Sequence, residues 1–238
     1  MKKNKLGILG GLGPIASSYL YSLITERTQA ATDQEHLDIL LYSHASIPDR
    51  TQAIIEGREE ELSSILLKDL HFLEEAGCTH LVVGCNTAHA FLQDRQSLTS
   101  EFIDMISSCA LYIREKYPHA KQVGLMSTKG TIISGIYQKV FKDHGLGIIL
   151  PSEVEQDLLM SMIHSLKAGE KSQTPSFFKV YQSLLSKSDL VLTACTELSL
   201  HVRDHLYENV VDSIEITAET VLKTMGVPMR AGVSHGQL

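Results

Sequence analysis

The chain has 238 residues, 43% of them hydrophobic and 21% charged, which suits one large α/β domain or two smaller ones and excludes a disordered or collagen-like chain. Its formal net charge of −7, with lysines and arginines scattered, argues against a phosphate-neutralising surface and so against nucleic acid as a partner. No uninterrupted apolar run reaches the ~18–20 residues of a membrane span, which excludes a membrane-spanning helix.

The charged start Met1–Lys5 is followed by a segment broken by glycines and Pro14, unlike the apolar stretch of a signal peptide. The expectation is a cytoplasmic protein whose Cys78, Cys85, Cys109 and Cys195 are free thiols. The first predicted strand, Leu6–Leu9, runs into Gly10-Gly11-Leu12-Gly13-Pro14-Ile15-Ala16 and then a helix. From Gly11 this fits the G-x-G-x-x-A form of a dinucleotide fingerprint, which also needs an acidic residue ending the second strand. That strand, Leu37–Tyr42, ends in Ser43-His44. Gly11 and Gly13 then either bring backbone N–H groups close to a small anion or merely form a turn that needs φ > 0.

Ile47-Pro-Asp-Arg-Thr51 follows on a turn, where Arg50 is free to fork onto a carboxylate. Leu62, Ile65, Leu66, Leu70 and Leu73 fall at helical spacing, with Gly77 as the stop. The next strand, His80–Gly84, delivers Cys85-Asn-Thr-Ala-His89. Cys85 stands just past a strand's carboxyl end, where ligands of open α/β sheets bind, and a following helix would favour its thiolate. His89, one turn on, either orients the cysteine or is a satisfied structural histidine; C-x₃-H lacks the further ligands of a metal site. Cys78 and Cys109 sit in a helix stop and an apolar helical pattern and read as packing residues.

Strands are predicted again at Gln122–Met126, Gly147–Leu150, Leu190–Ala194 and Val210–Asp212, with helices between. Lys167, in Ser165-Leu-Lys-Ala-Gly169, ends one helix, where a lysine usually complements the helix dipole in solvent. Cys195-Thr-Glu197 repeats the order strand, cysteine, helix, with Thr196 as a candidate cap. This alternation predicts an α/β fold of two similar doubly wound parallel-sheet lobes with the active site in the cleft between them. The expected division is residues 1–103 plus 213–238 for the lobe with Cys85 and 104–212 for the lobe with Cys195. The helix from Ile214 crosses back, and a loose tail starts at Pro228.

Two thiols from facing lobes suit the inversion of a carbon centre: one takes the α-hydrogen as thiolate, the other returns a proton on the far side. At these residues the chain resembles the aspartate/glutamate racemase superfamily, and within it the pyridoxal-phosphate-independent aspartate racemases. Gly7–Pro14, Ile47–Thr51, Cys85–His89 and Cys195–Glu197 stand in family order, and the likeness runs from Gly7 to about Glu219. The resemblance implies no cofactor, no metal, an acidic amino acid as substrate and a homodimer. It implies Cys85 and Cys195 as the acid/base pair and Arg50 and Lys167 as the grip on the substrate carboxylates. Asn86, Thr87 and Thr196 would hold the α-carboxylate or amino group, with Gly11 and Gly13 beside the substrate. Many relatives carry a histidine in the segment that here reads Ile214–Thr217, which favours aspartate over glutamate. The alternatives are a broad-specificity amino-acid racemase or a diacid isomerase of the same superfamily, a binding protein without activity, and a dinucleotide-dependent oxidoreductase.

Overall fold

A computed structural model describes residues 4–170, 174–205 and 207–230. The first half forms β1 (Lys5–Gly10), α1 (Pro14–Arg27), β2 (Asp38–Ser43), α2 (Arg50–Glu56), α3 (Glu59–Glu75), β3 (His80–Val83), β4 (Glu101–Ile103) and α4 (Met105–Lys116). The second forms β5 (Gln122–Ser127), α5 (Lys129–Ser134), α6 (Ile136–Asp143), β6 (Gly147–Ile149), α7 (Glu153–Lys167), α8 (Thr174–Leu185), β7 (Leu190–Ala194), α9 (Thr196–Val202), β8 (Val210–Asp212) and α10 (Ser213–Thr224). The strands make two four-stranded sheets, ordered β2-β1-β3-β4 and β6-β5-β7-β8, in which every pairing is parallel. Counted within each lobe, the strand order is the same.

The central strands are mostly apolar because helices cover both faces of each sheet. β3 and β7 are buried along their whole length. On one face of the first sheet, α3 sets Leu62, Leu66, Leu70 and Leu73, all fully buried, against Leu9 and Val83. Glu59, Glu60 and Glu61 occupy its first turn, where carboxylates suit the helix dipole, and Gly77 at φ 85° follows its end. The other face is covered by Leu20 and Ile24 of α1 together with Ile214, Ala218, Val221 and Leu222 of α10. In the second lobe Tyr137 and Phe141 of α6 pack with Val123, Leu125 and Leu192 on one side of the sheet. Met162, Phe177 and Val180 cover the other side with Met126 and Val191.

Two expectations are corrected. The predicted strands omit β4, a three-residue edge strand paired with β3. The tail was expected to be loose from Pro228, yet Pro228 O accepts from Gln29 N–H, Met229 bridges Thr28, and Arg230 donates to the Arg27 and Thr28 carbonyls. The rest of that segment, from 231 on, lies outside the described residues. Among the described residues, no helix is long and apolar enough to cross a membrane.

Candidate active site

Each sheet reverses its winding between two central strands, β1 and β3 in the first, β5 and β7 in the second. The carboxyl ends at such switch points form a crevice where open α/β sheets bind ligands. Gly11 and Cys85 leave the first pair; Thr128 and Cys195 leave the second. The two crevices meet in one narrow cavity lined by Cys85, Asn86 and Thr87 from one side and Thr128, Lys167, Cys195, Thr196 and Glu197 from the other, with Arg50 at its edge. Its free space, about 20 Å³, holds about one water. Gly11 and Gly13 line an adjoining cavity instead, which shares Arg50, Lys167 and Glu197 with the first. Gly11 is glycine for a structural reason: at φ 84° a Cβ would lie 2.4 Å from the His44 backbone carbon.

Cys195 is 4% exposed and stands at the N-cap of α9, so Thr196 is the first helical residue and not the cap. Its Sγ donates to Glu197 Oε2 at 3.1 Å, and Thr196 Oγ1 donates to the same oxygen at 3.3 Å. Burial, reinforced by the Glu197 carboxylate, pushes the Cys195 thiol well above its usual range, with Lys167 opposing. Glu197, a buried carboxylate on the sulfur, is absent from the site residues expected from sequence. Its only signal there is its place two residues after the cysteine, at a helix start.

Cys85 is 7% exposed. The segment after it is a five-residue 3₁₀ turn, Thr87–Phe91, not the α-helix expected, so little macrodipole reaches the sulfur. His89 is structural: Nδ1 bonds the Cys85 carbonyl at 2.9 Å, and Nε2 accepts from Met105 N–H at 3.3 Å. This tautomer is neutral, and burial lowers the pKa of the ring. Asn86 and Thr87 tie the lobes together. Asn86 Oδ1 accepts from Tyr137 at 2.5 Å and Nδ2 donates to Ser213 at 3.1 Å, leaving one amide hydrogen for a ligand. Thr87 Oγ1 lies 2.9 Å from the hydroxyls of both Thr128 and Thr131, which are 3.0 Å from each other.

Arg50 opens α2 and is 8% exposed. Nη2 donates to Leu12 O at 2.7 Å and Nη1 to Pro48 O at 3.1 Å, while Nε is buried without a partner. The guanidinium expected to be free is thus anchored to the turns around it, with hydrogens left over. Lys167 Nζ lies 4.0 Å from both Asp49 Oδ2 and Glu197 Oε1, bridging the lobes. Burial alone would raise the Asp49 carboxyl, but the Gln52 N–H, Lys167 and Arg50 hold it below its usual range. Among the described residues, no group of three or more His, Cys, Asp or Glu side chains is placed to hold a metal ion.

Residues 9–221 match the family model described as Asp/Glu/Hydantoin racemase. Among solved structures, the chain is similar to an aspartate racemase from Picrophilus torridus, with 30% identity, coverage of 95% of this chain and 96% of that one, and a TM-score of 0.81. An aspartate racemase homologue from Pyrococcus horikoshii OT3 shares the fold at 24% identity over 95% and 100% of the two chains, with a TM-score of 0.73. The broad specificity amino-acid racemase RacX of Bacillus subtilis (strain 168) is 26% identical over 227 residues, 92% of this chain and 97% of RacX.

Proposed function

The chain belongs to the Asp/Glu/hydantoin racemase family, and from that premise we propose that it interconverts L- and D-aspartate, without a cofactor, through Cys85 and Cys195. The observation that carries this reading is that these two cysteines, one from each lobe, line a single buried cavity with Arg50 and Lys167. A thiolate on one face of the α-carbon takes its hydrogen as a proton, and the electron pair left behind spreads into the substrate carboxylate. The thiol on the other face then gives its proton to that carbon, so configuration inverts and the sulfurs exchange protonation states. Arg50 and Lys167 offset the negative charge that builds on the carboxylates, and exclusion of water strengthens both contributions. Thr87 and Thr196 bring hydroxyls to the cavity from its two sides, and Gly11 and Gly13 belong to the approach. A homodimer in the cytoplasm is part of the same proposal.

A broad-specificity amino-acid racemase is the second reading. It is supported by the adjoining cavity, whose wall includes Leu12, Pro14, Leu166 and Leu200, room that an apolar side chain would fill. Incubation with each enantiomer of aspartate in heavy water tests the main reading: the opposite enantiomer should form carrying deuterium at its α-carbon. Cys85→Ser and Cys195→Ser should each abolish inversion while leaving the fold intact. Undeuterated product, or near-normal inversion by both variants, would remove the two-thiol mechanism. Faster turnover of an apolar amino acid than of aspartate would favour the second reading.

A further inference from the structure

Glu197 reaches both cavities. Its Oε2 accepts from the Cys195 thiol, whereas Oε1 is buried without a hydrogen-bond partner and lies 4.0 Å from Lys167 Nζ. A Cβ at residue 13 would stand 2.4 Å from Oε1, so Gly13 leaves the space that this oxygen occupies. The residue lines the narrow cavity of Cys195 and also the adjoining one, a space of about 170 Å³ walled by Gly11, Gly13, Leu166 and Leu200.

From this bridging position we propose that Glu197 is the proton relay of Cys195, carrying protons between water in the adjoining cavity and the sulfur. The inference rests on the two-thiol reading. Once Cys195 has given its proton to the substrate carbon, a thiolate remains beside a carboxylate in a space that holds about one water. A carboxyl group protonated from the adjoining cavity restores the thiol: its O–H bond breaks, an S–H bond forms, and the carboxylate is regenerated, while the proton that Cys85 took from the substrate leaves it for solvent. Run backwards, the same step discharges the thiol before it acts as base. No electrons are gained or lost by either residue. The charged and titratable groups facing the pair are Lys167 at the end of α7, Asp49 and Arg50 at the start of α2, and Cys85 beyond β3. Glu197 therefore acts through Cys195 as a positioning residue for its proton.

A relay works between turnovers, so its loss enters kcat but not kcat/KM, which compares free enzyme and substrate with the transition state. Glu197→Gln is expected to lower kcat about tenfold or more while kcat/KM falls less than about threefold, and Glu197→Asp to recover part of kcat. Equal losses in the two parameters, or none in kcat, would overturn the relay. A measurement without substrate covers a variant that racemises nothing: ultraviolet thiolate absorbance followed against pH in Cys85→Ser, with and without Glu197→Gln. Removing the carboxylate should let Cys195 ionise at lower pH; an unchanged titration also overturns the proposal. Deuterium incorporation by the unaltered enzyme decides the two-thiol reading separately.

Discussion

Arg50 shows how a binding residue is prepared in advance. Its guanidinium is fixed by carbonyls of Leu12 and Pro48, so less rotamer freedom is lost when a carboxylate arrives. Arg50→Lys keeps the charge and removes the fork. Under the proposed function it should raise KM for aspartate about ten- to a hundredfold, since one charge-assisted bond is worth about 1.5–3 kcal/mol. Unaltered steady-state kinetics would exclude the contact. The cysteines were legible in sequence because each follows an apolar run that can only be a buried strand, and a strand's carboxyl end is a fixed place in this architecture. Glu197 was not legible as a partner of Cys195, because whether a side chain two residues on turns back to the sulfur depends on packing from Gly13 and Lys167. Nor could spacing reveal that Asn86 spends its amide on Tyr137 and Ser213, which are far away in sequence.

Among the elements, β4 owes its position to a carboxylate in α3. Glu74 Oε1 accepts from the N–H groups of Thr99 and Ser100 at 2.7 Å and from the Thr99 hydroxyl at 2.9 Å, while Oε2 meets His71 Nδ1 at 2.9 Å. Burial would raise its pKa, but these bonds, from Ser100 and Thr99 first and then His71, lower it from 4.5 to about 2. A depressed carboxyl stabilises the fold above its unfolded pKa, and that contribution disappears as pH falls through the folded value. Glu74→Gln should therefore cost about 1–3 kcal/mol at neutral pH. The gap from the unaltered chain should narrow below about pH 4.5 and close near pH 2, as read by denaturant unfolding at several pH values. A gap independent of pH would mean that the amide loses something other than charge-assisted bonds. The long strands and α3 were legible because their periods extend over enough residues. The strand β4 was not among the predicted strands, and the 3₁₀ turn after Cys85 is shorter than the repeat that announces a helix.

At the scale of the molecule, the free space of the cavity that the cysteines line holds about one water, and under the proposed function the lobes part to admit an amino acid and close to surround it. The ties across the gap are the Thr87–Thr128–Thr131 hydroxyl triangle, the Asn86 amide oxygen, which accepts from Tyr137, and the approach of α5 to α2. That approach depends on Gly130: a Cβ there would lie 2.7 Å from Thr51 Oγ1 and 2.8 Å from Thr51 Cα. Gly130→Ala should wedge the helices apart, destabilise the fold by about 1–3 kcal/mol, and raise KM because closure is harder. A variant with wild-type melting temperature and KM would show that this contact does not govern closure. Two similar lobes were anticipated from the repeated strand–cysteine–helix pattern, whereas the hydroxyl triangle has no local signature.

The helix that begins at Ser213 has one more consequence. Its Ile214, Ala218, Val221 and Leu222 complete a core whose other members are as early as Leu6 and Ile8. During synthesis, one side of the first sheet therefore stays only partly covered, by α1, until residues 213–222 have left the ribosome. Order of translation and order of consolidation are thus uncoupled, and the earliest strands wait longest for their shelter. Truncating the chain before Ser213 would expose apolar surface at its beginning, some two hundred positions away from the cut.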